Sequence, residues 1–278
     1  MTGLTRLLMA GRRHPSGSGH SAAVSLVERL RTLSSGPLCD ADKQLLLASR
    51  DDDDGAASED RYEGLRVMCS DTLKLRTPEH DKMIGIARTV QLPKPDDFLS
   101  VLAALVGTGP GDVLVVNTNG STHAVAGSLF TTELARRGVK GLVVDGPVRD
   151  LDGLACPTYS TRITPYAGTV QHPGDGIDSS SVRVGGVLVS PGDILFGDAD
   201  GVLVGSPATF QTCLEGAANI AAVEAKLLEG MKQGVPLTMM TNFDEHLESR
   251  RRGELSALQF NENLHTIDFK NLDPIDYK

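Results

Sequence analysis

The chain has 278 residues, 40% hydrophobic and 4% aromatic without tryptophan, which is enough for a core built from Val, Leu, Ile and Ala. A net charge of −9, from 27 Lys and Arg against 36 Asp and Glu, excludes a general phosphate-backbone binder, which needs a basic face. No apolar run approaches the roughly eighteen residues of a membrane span, so neither nucleic acid nor a membrane is an expected partner.

Residues 1–23 lack any acid and carry Arg6, Arg12, Arg13, His14 and His20. They read either as a flexible basic extension of a cytoplasmic protein or as a mitochondrial transit peptide. The four cysteines, Cys39, Cys69, Cys156 and Cys213, are far apart and form no CxxC, as in the reduced, mostly buried thiols of an intracellular protein. Helical periodicity over 24–33 opens a folded domain predicted to span 24–234. A break at 34–41 precedes a second short helix. The acid run at 49–61 predicts a solvated loop insertion; it lacks the alternating ligands of a calcium loop.

From 83 onward the periodicity sharpens. A strand is predicted over 83–92, an amphipathic helix over 96–107 and a buried strand over 111–117. A Gly/Asn/Thr loop follows at 117–127. The helix over 128–138 takes Ser128 as its N-cap, Arg136 and Arg137 in its last turn and Gly138 as its C-terminal cap. Residues 139–145 form another buried strand, which turns over Gly146 and Pro147. This βαβ order predicts two parallel strands in one sheet. Short β segments with GG, SPGD and GDADG turns fill 182–206. A long helix covers 207–234, and 235–278 forms a peripheral extension.

Chemistry concentrates at two places. The GTGPGD stretch at 107–112 follows a helix and precedes a strand, the reverse of a dinucleotide or S-adenosylmethionine loop. GDADG at 197–201 reads as a hairpin turn, with metal ligation by Asp198 and Asp200 as the alternative. The loop AVAG at 124–127, by contrast, joins a strand end to a helix N-terminus, where free amides and the helix dipole favour a carboxylate or phosphate. The next parallel strand ends at DGPVRD, 145–150, on the same edge, where open α/β sheets bind ligands. Arg149 suits an anionic oxygen and Asp150 suits a hard cation such as Mg²⁺. The bland alternative is a local Arg–Asp pair in a turn.

The order GDVLVV, AVAGSLF, GLVVDGPVRD, GGVLVSPGD and GDADGVLV resembles the regulator-of-ribonuclease-activity A-like family, over roughly residues 24–232. That family includes class II 4-hydroxy-4-methyl-2-oxoglutarate/4-carboxy-4-hydroxy-2-oxoadipate aldolases. The resemblance implies an α/β fold of layered β-β-α, swivelling-domain type, with a mixed sheet flanked by helices. It implies a homotrimer and a divalent cofactor, Mg²⁺ or Mn²⁺. It also implies retro-aldol release of pyruvate from a small 2-oxo acid, with oxaloacetate decarboxylation through the same pyruvate enolate. By motif position, Gly127, Ser128, Leu129 and Phe130 form the substrate-binding loop, Arg149 contacts substrate and Asp150 ligates metal, making Arg149 and Asp150 the catalytic pair. Many aldolases of this type carry an acid where this chain has Ser128. Glu224 is the candidate cross-subunit contributor. The alternative implied by the same family is a non-catalytic regulator that binds a ribonuclease or another protein.

Overall fold

The computed structural model describes residues 25–51, 62–69, 72–77, 82–170 and 180–260. The basic tail at 1–23, most of the acidic insertion and the last eighteen residues lie outside them. The chain divides into one unit up to Glu215 and another from Gly216.

The first unit is built on an eight-stranded mixed sheet. Strands β3 (Met83–Gln91), β4 (Asp112–Asn117), β5 (Gly141–Val148) and β6 (Thr158–Ile163) run parallel in that order. Their Val-rich stretches are buried on both faces, as parallel strands between two layers must be. Helix α2 (Phe98–Gly107) connects β3 to β4, and α3 (Ser128–Arg136) connects β4 to β5. Both put apolar residues on one face of the sheet: Val101, Ala104 and Leu105 from α2, Phe130 and Leu134 from α3. The other face meets a small hairpin, β7 (Val182–Val184) and β8 (Val187–Val189), turning over Gly185 and Gly186, both at positive φ. Hairpin, sheet and helices give the layered β-β-α arrangement expected for the α/β class.

Antiparallel strands complete the sheet. β9 (Ile194–Asp198) pairs with β3, β10 (Gly201–Gly205) with β9, β1 (Arg66–Cys69) with β10, and β2 (Lys74–Leu75) with β6. GDADG is the β9–β10 turn. Asp198 accepts from Ser35 N at 2.8 Å and Ser35 Oγ at 2.9 Å, and also from Asp200 N. Its carboxylate therefore anchors a helix start and closes a turn, which replaces the metal-ligand alternative.

Three boundaries differ from the sequence expectation. Helix α1 (Ser35–Asp51) begins inside the anticipated break at 34–41. Its Pro37 falls in the first turn, where the missing N–H costs nothing. Strand β5 does not stop at Asp145; it runs through Gly146 and Pro147 to Val148, with a register shift between Val144 and Pro147. A proline is tolerated there because the strand bulges and Pro147 contributes its carbonyl rather than an N–H. The third is Ser128, which heads α3 while Gly127 is the N-cap.

The second unit holds most of helix α4 (Pro207–Lys232), a 3₁₀ turn at Leu237–Met240 and helix α5 (Phe243–Arg251). Leu227, Val235 and Met240 form its small buried cluster.

Candidate active site

β4 ends at Asn117, but its neighbour β5 continues for three more residues beyond the paired Asp145. The loop after β4 fills the vacated side of β5. Val125 N donates to Pro147 O at 3.2 Å, and Arg149 N donates to Ala126 O at 3.0 Å. These backbone bonds zip AVAG to PVRD, which is why two stretches some twenty residues apart share one place. On the loop's other flank, Ala124 N donates to Tyr166 O and Gly168 N to Ala124 O.

Gly127 is extended, at φ −160° and ψ −162°, so any residue suits its backbone. Space is what demands glycine: a Cβ there would lie 2.5 Å from Asp150 Oδ2 and 3.0 Å from Arg149 Cγ. Gly153 likewise makes room for Ser128, whose Cβ would be 3.0 Å from a Cβ at 153. Asp150 is left-handed, at φ 55° and ψ 47°, one of two non-glycine residues with positive φ among the described residues. Aspartate tolerates that region better than most side chains. The conformation turns the chain out of β5 and into the 3₁₀ turn Leu151–Gly153, with Gly153 N donating to Asp150 O.

Asp150 Oδ2 accepts from Ser128 N at 3.3 Å and Ser128 Oγ at 3.2 Å, and Arg149 Nε lies 3.6 Å from the same oxygen. The carboxylate thus serves α3 as a cap supplied from another segment, at the positive end of the helix dipole. Arg149 and Asp150 side chains are 41% and 43% exposed. An exposed pair of this kind adds little stability, so the ion pair alone does not account for the strained turn. The three contacts all fall on Oδ2, and Oδ1 is the oxygen left for a ligand.

The remaining sequence candidates separate. Leu129, which follows Ser128 in the first turn of α3, is 86% exposed. Phe130 is 4% exposed, its ring 6.3 Å from that of Phe98 in the helix-side core, so its backbone rather than its ring is available to a ligand. Glu224 is an exposed residue of α4 in the second unit.

Sequence reasoning passed over Asp145. It lies level with Asn117 across the strand ends, and burial pushes its carboxyl above the ordinary value against the opposing pull of Arg162. A charged residue inside an otherwise apolar strand was the available signal. Thr118 was also missed: its Oγ1 donates to Asp145 O at 2.6 Å, and a Cβ on Gly146 would meet that hydroxyl.

Among the described residues no group of three His, Cys, Asp or Glu side chains forms a cage for a metal. Mg²⁺ does not require one; it is commonly held by one or two carboxylates, with water and substrate in its other positions. Asp150 Oδ1 fits that single-carboxylate mode.

The family model for RraA-like proteins, described as Aldolase/RraA, matches residues 38–204. The chain belongs to the Aldolase/RraA family. The match covers every strand of the sheet from β1 to β9 and nearly all of β10, and both site segments. A family relative from Halalkalibacterium halodurans, named "Putative 4-hydroxy-4-methyl-2-oxoglutarate aldolase", is 37% identical over 149 residues, 52% of this chain and 69% of the relative. The structure is similar to Streptomyces coelicolor RraAS2, described as an unusual member of the RNase ES inhibitor RraA protein family. That similarity has TM-score 0.55 and 27% identity, and covers 77% of this chain and 97% of the other. A Pseudomonas syringae protein shares the fold at TM-score 0.60 and 20% identity, over 77% of this chain and 96% of its own. Among the described residues no helix is long and apolar enough to cross a membrane.

Proposed function

We propose that the protein is a divalent-metal-dependent lyase that cleaves 4-hydroxy-4-methyl-2-oxoglutarate-type 2-oxo acids to pyruvate and decarboxylates oxaloacetate as a side activity. The observation that carries this reading is the convergence of Arg149, Asp150 and the Gly127–Ser128 helix start at one strand edge. The name of the Halalkalibacterium relative points to the same chemistry. The proposed assembly is a cytoplasmic homotrimer.

Each residue has a task. The amides of Leu129 and Phe130 follow Ser128 at the helix start and take the substrate carboxylate. Asp150 would hold the cation, Mg²⁺ or Mn²⁺, which when bound would polarise the 2-oxo group as a Lewis acid. The C4 hydroxyl gives its proton to solvent water as C4–O becomes a carbonyl and the C3–C4 bond breaks; the electron pair stays on C3, delocalised onto the C2 oxygen, and water then protonates C3 to give pyruvate. Arg149 faces that growing negative charge with a permanently charged donor fork, and preorganised donors of this kind usually supply the largest catalytic share. Retro-aldol cleavage and oxaloacetate decarboxylation generate the same enolate, so one site serves both. Neither 124–130 nor 141–150 contains a lysine for a Schiff base.

The second reading is a non-catalytic regulator that binds a ribonuclease. It draws on the similarity to RraAS2 and on the exposed Leu129. The deciding assay is pyruvate release from oxaloacetate and from 4-hydroxy-4-methyl-2-oxoglutarate, with Mg²⁺ and with chelator, against an enzyme-free blank. Release above the blank only with metal supports the lyase. No such release, together with capture of a purified ribonuclease, supports the regulator.

A further inference from the structure

We infer that Thr118 is a positioning residue: its hydroxyl holds the bulge in β5 that sets how Arg149 and Asp150 leave the strand. Its effect on turnover rests on the lyase reading above; its effect on the backbone does not.

The register between β5 and β6 carries the inference. Val144 pairs with Ser160 and Pro147 with Arg162, so β5 takes three steps where β6 takes two. The strand therefore holds one extra residue, a bulge of the kind that re-aims side chains beside a site. Without it, each residue from Pro147 onward would lie one place further along the ladder, with its side chain on the opposite face. Arg149 N would then no longer meet Ala126 O, the bond that joins the strand end to the loop before α3.

Threonine hydroxyls grip the bulge from both sides. Thr118, just beyond β4, donates to Asp145 O at 2.6 Å, and Thr161 of β6 donates to Gly146 O at 3.4 Å. These are consecutive carbonyls of the irregular stretch. Thr118 is fully buried, and a Cβ on Gly146 would collide with its side chain, so glycine and threonine are fitted to each other. Ser121 N donates to the Thr118 hydroxyl at 3.2 Å, which leaves the hydroxyl proton for Asp145 O. Ser121 Oγ in turn donates to His123 O and accepts from His123 N. The path closes at Val125, whose N–H reaches Pro147 O beyond the bulge. Loss of the Thr118 hydroxyl takes a bond from Asp145 O and another from Ser121 N, and so opens this ring where loop and strand meet.

The test uses the full chain. Thr118→Val keeps the shape and loses the hydroxyl, Thr118→Ser keeps the hydroxyl and loses the methyl, and circular dichroism verifies both folds. Thr118→Val is expected to lose about 10²-fold in kcat for metal-dependent pyruvate release, the cost of a displacement near 1 Å at reacting groups. Thr118→Ser should stay near wild type. Hydrogen–deuterium exchange with mass spectrometry gives a readout that needs no turnover. In Thr118→Val, peptides spanning 124–127 and 147–150 should exchange about tenfold faster or more, with 112–116 and 141–144 unchanged. Thr161→Val removes the longer of the two bonds and should shift both readouts the same way by less; if Thr118→Val does not fold, unchanged readouts in Thr161→Val overturn the inference. Wild-type kcat or unchanged exchange at 147–150 in Thr118→Val overturns it and leaves the lyase reading standing. Equal losses in Thr118→Val and Thr118→Ser overturn it too, because packing rather than the hydroxyl would be the cause. A wild-type protein that releases no pyruvate overturns the lyase reading, and exchange at 147–150 then decides the inference alone: faster in Thr118→Val but not in Thr118→Ser supports it, and unchanged exchange overturns it.

Discussion

Gly127 lies against the Asp150 carboxylate so closely that a Cβ would stand 2.5 Å from Oδ2. The missing side chain is what lets a helix start and a strand end meet there. Gly127→Ala meets no backbone strain, because φ there is extended. It must instead push Arg149 and Asp150 aside. A displacement near 1 Å at reacting groups costs about 10²-fold in rate. The expected result is a large fall in kcat/KM with a thermal midpoint close to wild type, read by steady-state kinetics and differential scanning calorimetry.

Asp150 combines a left-handed backbone with its carboxylate, and substitutions separate the two. Asp150→Asn keeps a residue that tolerates positive φ, so it should lose activity at little cost in stability. Asp150→Val adds a β-branched side chain where that conformation is costly, and should destabilise by a further ~1–2 kcal/mol. Chemical denaturation of the two variants measures the difference.

Neighbours on α3 should behave oppositely. Phe130→Ala removes a ring packed against Phe98 and should cost about 3–5 kcal/mol. Leu129→Ala, at an 86% exposed position, should stay within about 0.5 kcal/mol in the isolated chain. Urea unfolding of both variants checks the contrast.

Asp145 gives a pH-dependent expectation. Burial raises its carboxyl above the ordinary 3.8, so the fold favours the protonated form. Its cost is absent below 3.8 and develops as pH rises through the raised folded value. Asp145→Asn should therefore melt higher than wild type at pH 7, and the gain should disappear as pH falls below the carboxylate range. Thermal melts across pH 3–8 follow both limbs; a gain that persists at low pH would remove titration as its cause.

Thiol reactivity follows from burial. Cys156 and Cys39 are each pushed up to about 11 by burial, Cys39 with help from Asp42, Asp40 and Asp198. Few thiolates exist at pH 8, so native protein should alkylate slowly at both positions and rapidly once denatured. Mass spectrometry of iodoacetamide-treated protein assigns each site.

The sequence made the βαβ core and the Arg149–Asp150 edge legible because both rest on local signals. Short Val-rich runs bounded by glycine mark parallel strands, and a strand end followed by a helix marks the ligand edge. What escaped depends on contacts distant in sequence. Nothing near Ser128 reveals that Asp150, twenty-two residues on, would cap α3 and leave the N-cap to Gly127. Gly146–Pro147 has the composition of a turn, yet Val125 and Arg162 keep it in the strand. Phe130 is adjacent to the site in sequence, but helical geometry sends its ring into the core. The pairing of β9 with β3 is also silent locally, since it joins strands about a hundred residues apart.

The most direct measurement is initial pyruvate release from 4-hydroxy-4-methyl-2-oxoglutarate with Mg²⁺, comparing wild type with Asp150→Asn at matched thermal stability. A metal-dependent lyase built on Asp150 releases pyruvate in the wild type and loses at least about 10²-fold in the variant. Equal release by the two proteins, or release that ignores a metal chelator, would contradict it.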